Sequence, residues 1–579
     1  VAKRSAAVTC KAADDQAGLG FAGSDLGTSN RLSLLDDEIL ANLNNVQLRN
    51  GLSPSASLDS GDGSKATPLA LLRLRFTNML GFEEPTMTDR PNILVIMTDQ
   101  QRATASHLYG STFCQTPSME RLAAAGVLFE NAITPHPLCA PARISFWTSQ
   151  FPHSHGGRRN QTLMPAGATH AWQLWKEAGY ATGLIGKNHC FQRGEDLALF
   201  DVWNAFTHGG RNEGPQTRGM DWFRPEEGRR KVAAAHRQLA HQNPRFSYGT
   251  SELPLADHST GLIAGQTTRF IEKHQDQPFA LWVSFPDPHE PWLCPAEYAS
   301  LFPPTAIDLP PWRDGEFDDE RAPERNRVLY QMLGVRRDPS EDLYGVMAAY
   351  FGMVRFIDDA LGQILDKLDE LGLREQTIVV FCSDHGDFMG EHAMQCKGGV
   401  FYDSLTRVPL IVSWPGQVAA GVRDQSMANL IDVVPTLLQL QGLAQPRSMH
   451  GTPLPTATDA VPRDATFSEY GCGGPLFTMA DLEKQPKPWG RKTLIDTLQW
   501  REAAGRCKMV RTRQWKYVHD PMGDRDELYD LVADPNELFN VIDEAQHRDA
   551  LADLRLRLAD WSINTEDSQP VPLPDRTHY

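Results

Sequence analysis

The sequence has no uninterrupted apolar run near the ~18 residues that a membrane span needs; its longest candidates, such as 92–97, are the size of a strand. No membrane partner is expected. Its nine cysteines are odd in number and scattered, with no CxxC pair, which speaks against a disulfide framework or a zinc knuckle. Positive charge is scarce: 56 Lys plus Arg face 73 Asp plus Glu, a formal net charge of −17. That balance argues against nucleic acid as a partner, and an anionic substrate has to be held by a local basic cluster. No basic stretch followed by an apolar one reads as a secretory signal, so a cytoplasmic location is expected. What remains is 579 residues with 41% hydrophobic and 22% charged side chains. That is a globular composition with length for roughly two to four domains.

Residues 1–87 read as an N-terminal extension, a weakly structured or surface arm rich in turn formers around 51–64. Gly18, Gly20 and Gly23 match GxGxxG, but no strand precedes them, and the segment reads as a loop. From residue 88 the pattern becomes short apolar runs alternating with amphipathic helices, which predicts an α/β fold with a large, mainly parallel sheet sandwiched by helices. Residues 88–440 are assigned to that catalytic domain. The stretch 441–460, rich in Pro, Gly and Thr, marks a boundary to a smaller α+β region over 441–579 with its own short sheet.

Four apolar runs end in chemistry: 93–97 in Asp99, 180–185 in Lys187 and His189, 279–285 in Asp287 and His289, and 377–382 in Asp384 and His385. Ligand sites of open α/β sheets lie beyond the carboxyl ends of strands. One acid after a strand is usually a turn or cap residue; four coincidences are harder to dismiss. Two acids and a His make a hard-to-borderline cation site suited to Ca²⁺, Mg²⁺ or Mn²⁺. Cys139 precedes Pro141 by two positions and Arg143 by four. Pro141 fits a helix's first turn, which sets Cys139 at the positive end with Arg143 one turn on, a site for an anionic tetrahedral group.

These motifs together resemble the sulfatase family of the alkaline phosphatase superfamily. The family's Cys-x-Pro-x-Arg stands at Cys139, Pro141 and Arg143. In order around it come Asp99-Gln100, Lys187 and His189, His289, Asp384-His385-Gly386-Asp387, and Lys397. The resemblance spans roughly residues 88–545. It implies a sulfuric ester hydrolase whose Cys139 is oxidised by a maturation enzyme to formylglycine, the aldehyde hydrating to the nucleophile. It further implies one divalent cation, Ca²⁺ before Mn²⁺ or Mg²⁺, on Asp99, Gln100, Asp384, His385 and the modified Cys139. Arg143 and Lys187 match residues that keep the nucleophile ionised, and His189 the base that drives sulfate out. His289 and Lys397 match the groups assisting the leaving alcohol, and Asn160 a substrate contact. Gln100 and His385 depart from the arylsulfatase pattern toward phosphonate monoester hydrolases, so a phosphonate monoesterase or phosphodiesterase on the same site is the alternative. A degenerate binding protein would be expected to lack Cys139, Arg143, Lys187 or Lys397, and all four are present. The expected substrate is a small-molecule or saccharide sulfate ester; its alcohol half and any homo-oligomer are left open.

Overall fold

Along the first strand, β1 (Asn92–Thr98), Ile93, Val95 and Met97 enter one apolar cluster, and Leu94 and Ile96 enter another on the opposite face. Alternation at period two with both faces covered is what turns a central strand into a continuous apolar run. The computed structural model describes residues 90–566 apart from 192–193, 207–225, 243–246, 319–320, 336–342, 457–461 and 500–504. The N-terminal extension and its glycine motif lie outside the described residues.

The main sheet also holds β2 (Val127–Ile133), β3 (Ala181–Lys187), β4 (Val202–Phe206), β5 (Phe279–Ser284), β6 (Thr377–Ser383), β7 (Leu410–Ser413) and β8 (Val422–Asn429). These eight strands run in the order β8-β2-β7-β6-β1-β5-β3-β4. Every pairing is parallel except the two made by β7, which is antiparallel to both neighbours. One face carries α1 (Cys139–Thr148), with Trp147, Trp172, Trp175 and Trp282 packed ring to ring. The other carries α2 (Ser259–Lys273) and α3 (Leu343–Glu370). In α3 the residues Val346, Met353, Phe356, Ile357, Ala360, Leu361, Ile364 and Leu368 are buried, the 3.6-residue period of a helix on a sheet. Gly372 follows it in the left-handed conformation, φ 68°.

A second sheet of four antiparallel strands, β9 (Ala465–Gly474), β10 (Gly505–Thr512), β11 (Trp515–His519) and β12 (Glu527–Asp530), pairs in sequence order and shares no ladder with the first. A helix, α4 (Arg548–Asn564), lays Leu554, Leu558 and Trp561 on it, with Trp561 stacked on Phe467 at 4.8 Å. Both sheets belong to one compact unit, Pro85–Tyr579. No helix among the described residues is long and apolar enough to cross a membrane.

Candidate active site

Parallel register decides which side chains meet. Thr98 pairs with Ser383 across β1 and β6, so Asp99 and Asp384 leave adjacent strands at one level. On the other side β5 ends at Ser284 opposite Met97, and Gly186 of β3 is opposite Ser284, which brings Lys187 to the same edge. Gly186 has φ 111°, and a Cβ there would lie 1.9 Å from the Ser284 carbonyl oxygen, so only glycine lets β3 approach so closely. Facing this edge is the first turn of α1, which begins at Cys139 with Arg143 one turn on, both buried.

One oxygen each of Asp99 and Asp384, a His385 ring nitrogen and Cys139 Sγ lie within 4.8 Å of one another. Cys139 Sγ is 3.1 Å from His385 Nε2 and 3.4 Å from Asp99 Oδ1. His385 Nδ1 is 2.9 Å from the Gly386 carbonyl oxygen. Donation to that acceptor leaves Nε2 as the lone-pair nitrogen facing the cluster. Burial pushes this ring down to about 3, so it is neutral.

Cations surround the cluster. Arg143 donates through Nε to Asp384 Oδ2 at 2.8 Å and through Nη1 to Ser284 Oγ at 2.8 Å and the Lys187 carbonyl at 3.0 Å. Its Nη2, 3.8 Å from Asp99 Oδ2, has no hydrogen-bond acceptor among the described residues. Lys187 ion-pairs with Asp99. Lys397 Nζ is 3.2 Å from Cys139 Sγ. Burial pulls the Lys397 ammonium down, but Cys139, Glu290, Cys396 and Asp384 outweigh it and hold the group above its usual value. Burial pushes the Cys139 thiol up to about 11 against the pull of Lys397, so the unmodified thiol stays protonated at neutral pH. Burial, with Lys187, Arg143 and Lys397, drives His189 well below its usual value and leaves it a neutral base. His189 and Gln100 both hold left-handed backbone, φ 64° and 68°, strain of order 1–3 kcal/mol each that the surrounding fold has to hold in place.

The remaining expected residues fall into two groups. Gln100 turns its amide away from the carboxylates: Oε1 accepts from Lys397 Nζ at 2.5 Å and Nε2 donates to Glu290 Oε2 at 3.0 Å. His289 belongs to the same chain, its Nδ1 lying 2.5 Å from the Glu290 carbonyl and 3.2 Å from the Glu290 carboxylate. Asn160 Oδ1 accepts from the Ala140 N–H at 3.1 Å, so it steadies the first turn of α1 beside the cysteine. Asp287, one of the three strand-end acids, sits apart and accepts from the Ser259 and Thr260 hydroxyls at the start of α2 at 2.9 and 2.5 Å. Sequence reasoning missed Glu290 and its ion-pair partner Arg491. The adjacency of Glu290 to His289 was its one available signal; for Arg491, more than 90 residues beyond Lys397, there was none.

The sulfatase family profile matches residues 91–443, more than half of the chain and all of the strands that build this cluster. The chain belongs to the sulfatase family. It is therefore a hydrolase with an alkaline phosphatase-like fold. Among its relatives, the choline-sulfatase of Rhizobium meliloti is 28% identical over 83% of this chain and 89% of its own. The N-acetylglucosamine-6-O-sulfatase of Bacteroides thetaiotaomicron is 23% identical over 89% and 93%. The crystal structure of the phosphonate monoester hydrolase of Agrobacterium radiobacter is 26% identical and superposes with a TM-score of 0.66, covering 82% of this chain and 95% of that one.

Proposed function

We propose that this enzyme hydrolyses sulfate monoesters at the cluster around Cys139, and that its substrate is a small-molecule or saccharide sulfate. The observation that carries the reading is the meeting of Cys139, Asp99, Asp384 and His385 within 4.8 Å, ringed by Arg143, Lys187 and Lys397. Two carboxylates, one neutral imidazole nitrogen and the side chain at position 139 suit a divalent cation, Ca²⁺ before Mn²⁺ or Mg²⁺, and the unpartnered Arg143 Nη2 suits an added anionic oxygen. Asp99, Asp384 and His385 would hold that ion, with Gln100 reaching it only by sharing the oxygen that now accepts from Lys397. When present, the cation and the formylglycine made from Cys139 supply charge stabilisation and the attacking oxygen.

The chain's own residues supply the rest. Arg143 and Lys187 lower the pKa of a hydroxyl at position 139 by placing positive charge beside it in a dry site. His189, neutral, accepts a proton from the same side chain when sulfate departs. Lys397 through Nζ, and His289 through Nε2 in the imidazolium form that the Glu290 carboxylate beside Nδ1 favours, donate to the oxygen of the departing alcohol. Asn160 holds the helix turn that aims position 139.

A second reading, phosphonate monoester or phosphodiester hydrolysis, is supported by the likeness to the phosphonate monoester hydrolase and by Gln100 and His385 in the motif. A sugar as the alcohol half is supported by the relative named for N-acetylglucosamine 6-sulfate. The decisive experiment assays protein co-expressed with a formylglycine-generating enzyme, its Cys139 peptide checked by mass spectrometry. Aryl sulfate, phosphate mono- and diesters, and phosphonate esters are run side by side, before and after chelation. Sulfate ester turnover lost on chelation is expected. Turnover undiminished in metal-free protein, or confined to phosphonates, would sink the leading reading.

A further inference from the structure

Between β9 and β10 the chain leaves the second sheet for some thirty residues and returns. This excursion packs Leu482, Trp489, Leu494 and Leu498 against Val328, Leu329 and Met332 of the helix Glu324–Leu333. It thereby carries one cation to the catalytic cluster: Arg491 Nε lies 2.5 Å from Glu290 Oε1. Burial pushes the Glu290 carboxyl up, but Arg491 and Lys397 outweigh it and keep it ionised. Its other oxygen takes Gln100 Nε2, and Gln100 in turn takes Lys397. Arg491 therefore stands two side chains from Lys397 and, through Glu290, next to His289. These are the two groups assigned to the leaving oxygen, so Arg491 is on the side of the alcohol and not of the sulfate.

The guanidinium is also presented to solvent. The Arg491 side chain is 41% exposed, while Glu290 beneath it is 6% exposed. A guanidinium carries five N–H donors in a planar fork. Nε is engaged by Glu290, and no second acid among the described residues pairs with the Nη edge.

We propose that Arg491 is a specificity-determining residue that binds a second anionic group, a carboxylate or a further sulfate, on the alcohol half of the substrate. The proposal rests on the sulfate-ester reading above. With a net charge of −17, the chain has no global field to attract a dianion, so a fixed guanidinium beside the leaving oxygen is the means it has. Glu290 is its positioning residue, holding the fork in one orientation so that little freedom is lost on binding.

The test is a pair of matched comparisons on matured enzyme: glucosamine 6-sulfate against glucosamine 2-N,6-O-disulfate, and phenyl sulfate against 3-carboxyphenyl sulfate. The wild-type enzyme should favour the dianion in at least one pair, and the responding pair distinguishes a sulfate from a carboxylate. In Arg491→Ala that preference, as a ratio of kcat/KM values, should fall about 10- to 100-fold, chiefly through KM. Arg491→Lys should keep a larger share of it. Equal losses on both members of each pair would reduce Arg491 to a counter-ion for Glu290 and overturn the proposal, as would a wild type without preference. Wild-type protein that hydrolysed none of the four esters would instead overturn the sulfate-ester reading beneath it.

Discussion

Where the two sheets meet, Lys516 donates to the Phe401 carbonyl at 2.7 Å and to Asp403 Oδ1 at 2.6 Å, and it pairs with Glu537 Oε1 at 2.5 Å. Arg511 grips the same Asp403 with Nε at 3.0 Å and Nη2 at 2.7 Å. At the edge of the main sheet the residue types are the same and the closure is not. Arg143, Lys187 and Lys397 converge on two carboxylates, a protonated thiol and a neutral imidazole, and Arg143 Nη2 is left without an acceptor. The junction is a set of buried charges of opposite sign paired with one another, Glu537 Oε1 by its ion pair with Lys516 and without a hydrogen bond, which holds sheets in place. The cluster around Cys139 is satisfied only in part by its own members among the described residues, so its field is directed at whatever enters. Burial of charge by itself thus says little about function; the completeness of its pairing says more.

The comparison breaks most sharply under substitution at its two centres. Cys139→Ala should remove essentially all turnover while the thermal unfolding midpoint stays near that of the unmodified protein. Turnover surviving in a chain shown by mass spectrometry to lack formylglycine would disprove the assignment. Asp403→Ala should do the reverse. It strands Arg511 and Lys516 without their shared acid, a loss of about 3–5 kcal/mol in denaturant unfolding, with turnover per folded molecule near wild type. A kinetic defect with no loss of stability would mean that the junction belongs to the site.

Next in size is the leaving-group side. Lys397→Ala and His289→Ala should each slow esters of poor leaving groups by about 10²–10³ and nitrophenyl sulfate by much less, because a nitrophenolate needs little protonation. Arg143→Ala, proposed for the nucleophile side, should impair the whole series alike. A series graded by leaving-group pKa decides; uniform losses for all three variants would show that the roles are misassigned.

The smallest effect is a pH dependence carried by Glu469. Glu469 of β9 accepts from His153 and pairs with Lys508, 3.7 Å away, joining the second sheet to the segment that follows α1. Burial pushes its carboxyl up, yet His153, Lys508 and Arg158 outweigh burial and hold it down at about 2, from an ordinary 4.5. A carboxyl depressed on folding stabilises above its unfolded pKa and loses that contribution as pH falls through the folded value. About 3 kcal/mol should therefore be lost between pH 4.5 and 2, and Glu469→Gln should flatten the unfolding midpoint over that window. An unchanged slope in the variant would place the acid sensitivity elsewhere.

Reading 88–440 as strands alternating with helices around a mainly parallel sheet needs only local information, because a strand buried on both faces and a helix on one leave different periods in the sequence. Cys139, Arg143 and Lys187 carry a spacing or a strand end that marks them, Lys397 is marked only by the family resemblance, and the four meet in one cluster. Asp287 bears the same local mark as Asp99 and Asp384, yet it turns to the Ser259 and Thr260 hydroxyls at the start of α2, since β5 ends one step away from the register at which the other two emerge. Asn160 and Gln100 could be named, but not what they touch: one holds the first turn of α1, the other bridges Glu290 to Lys397. Glu290 and Arg491 were beyond reach for a plainer reason. Their pairing joins residues 201 positions apart across two sheets, and no periodicity or motif records which excursion of one sheet comes to rest on the rim of another. Local sequence determines which elements form and which faces they bury; the register of strands and the packing of one sheet on the next decide which charges meet, because Coulomb energies depend on separation in space, which sequence separation does not record.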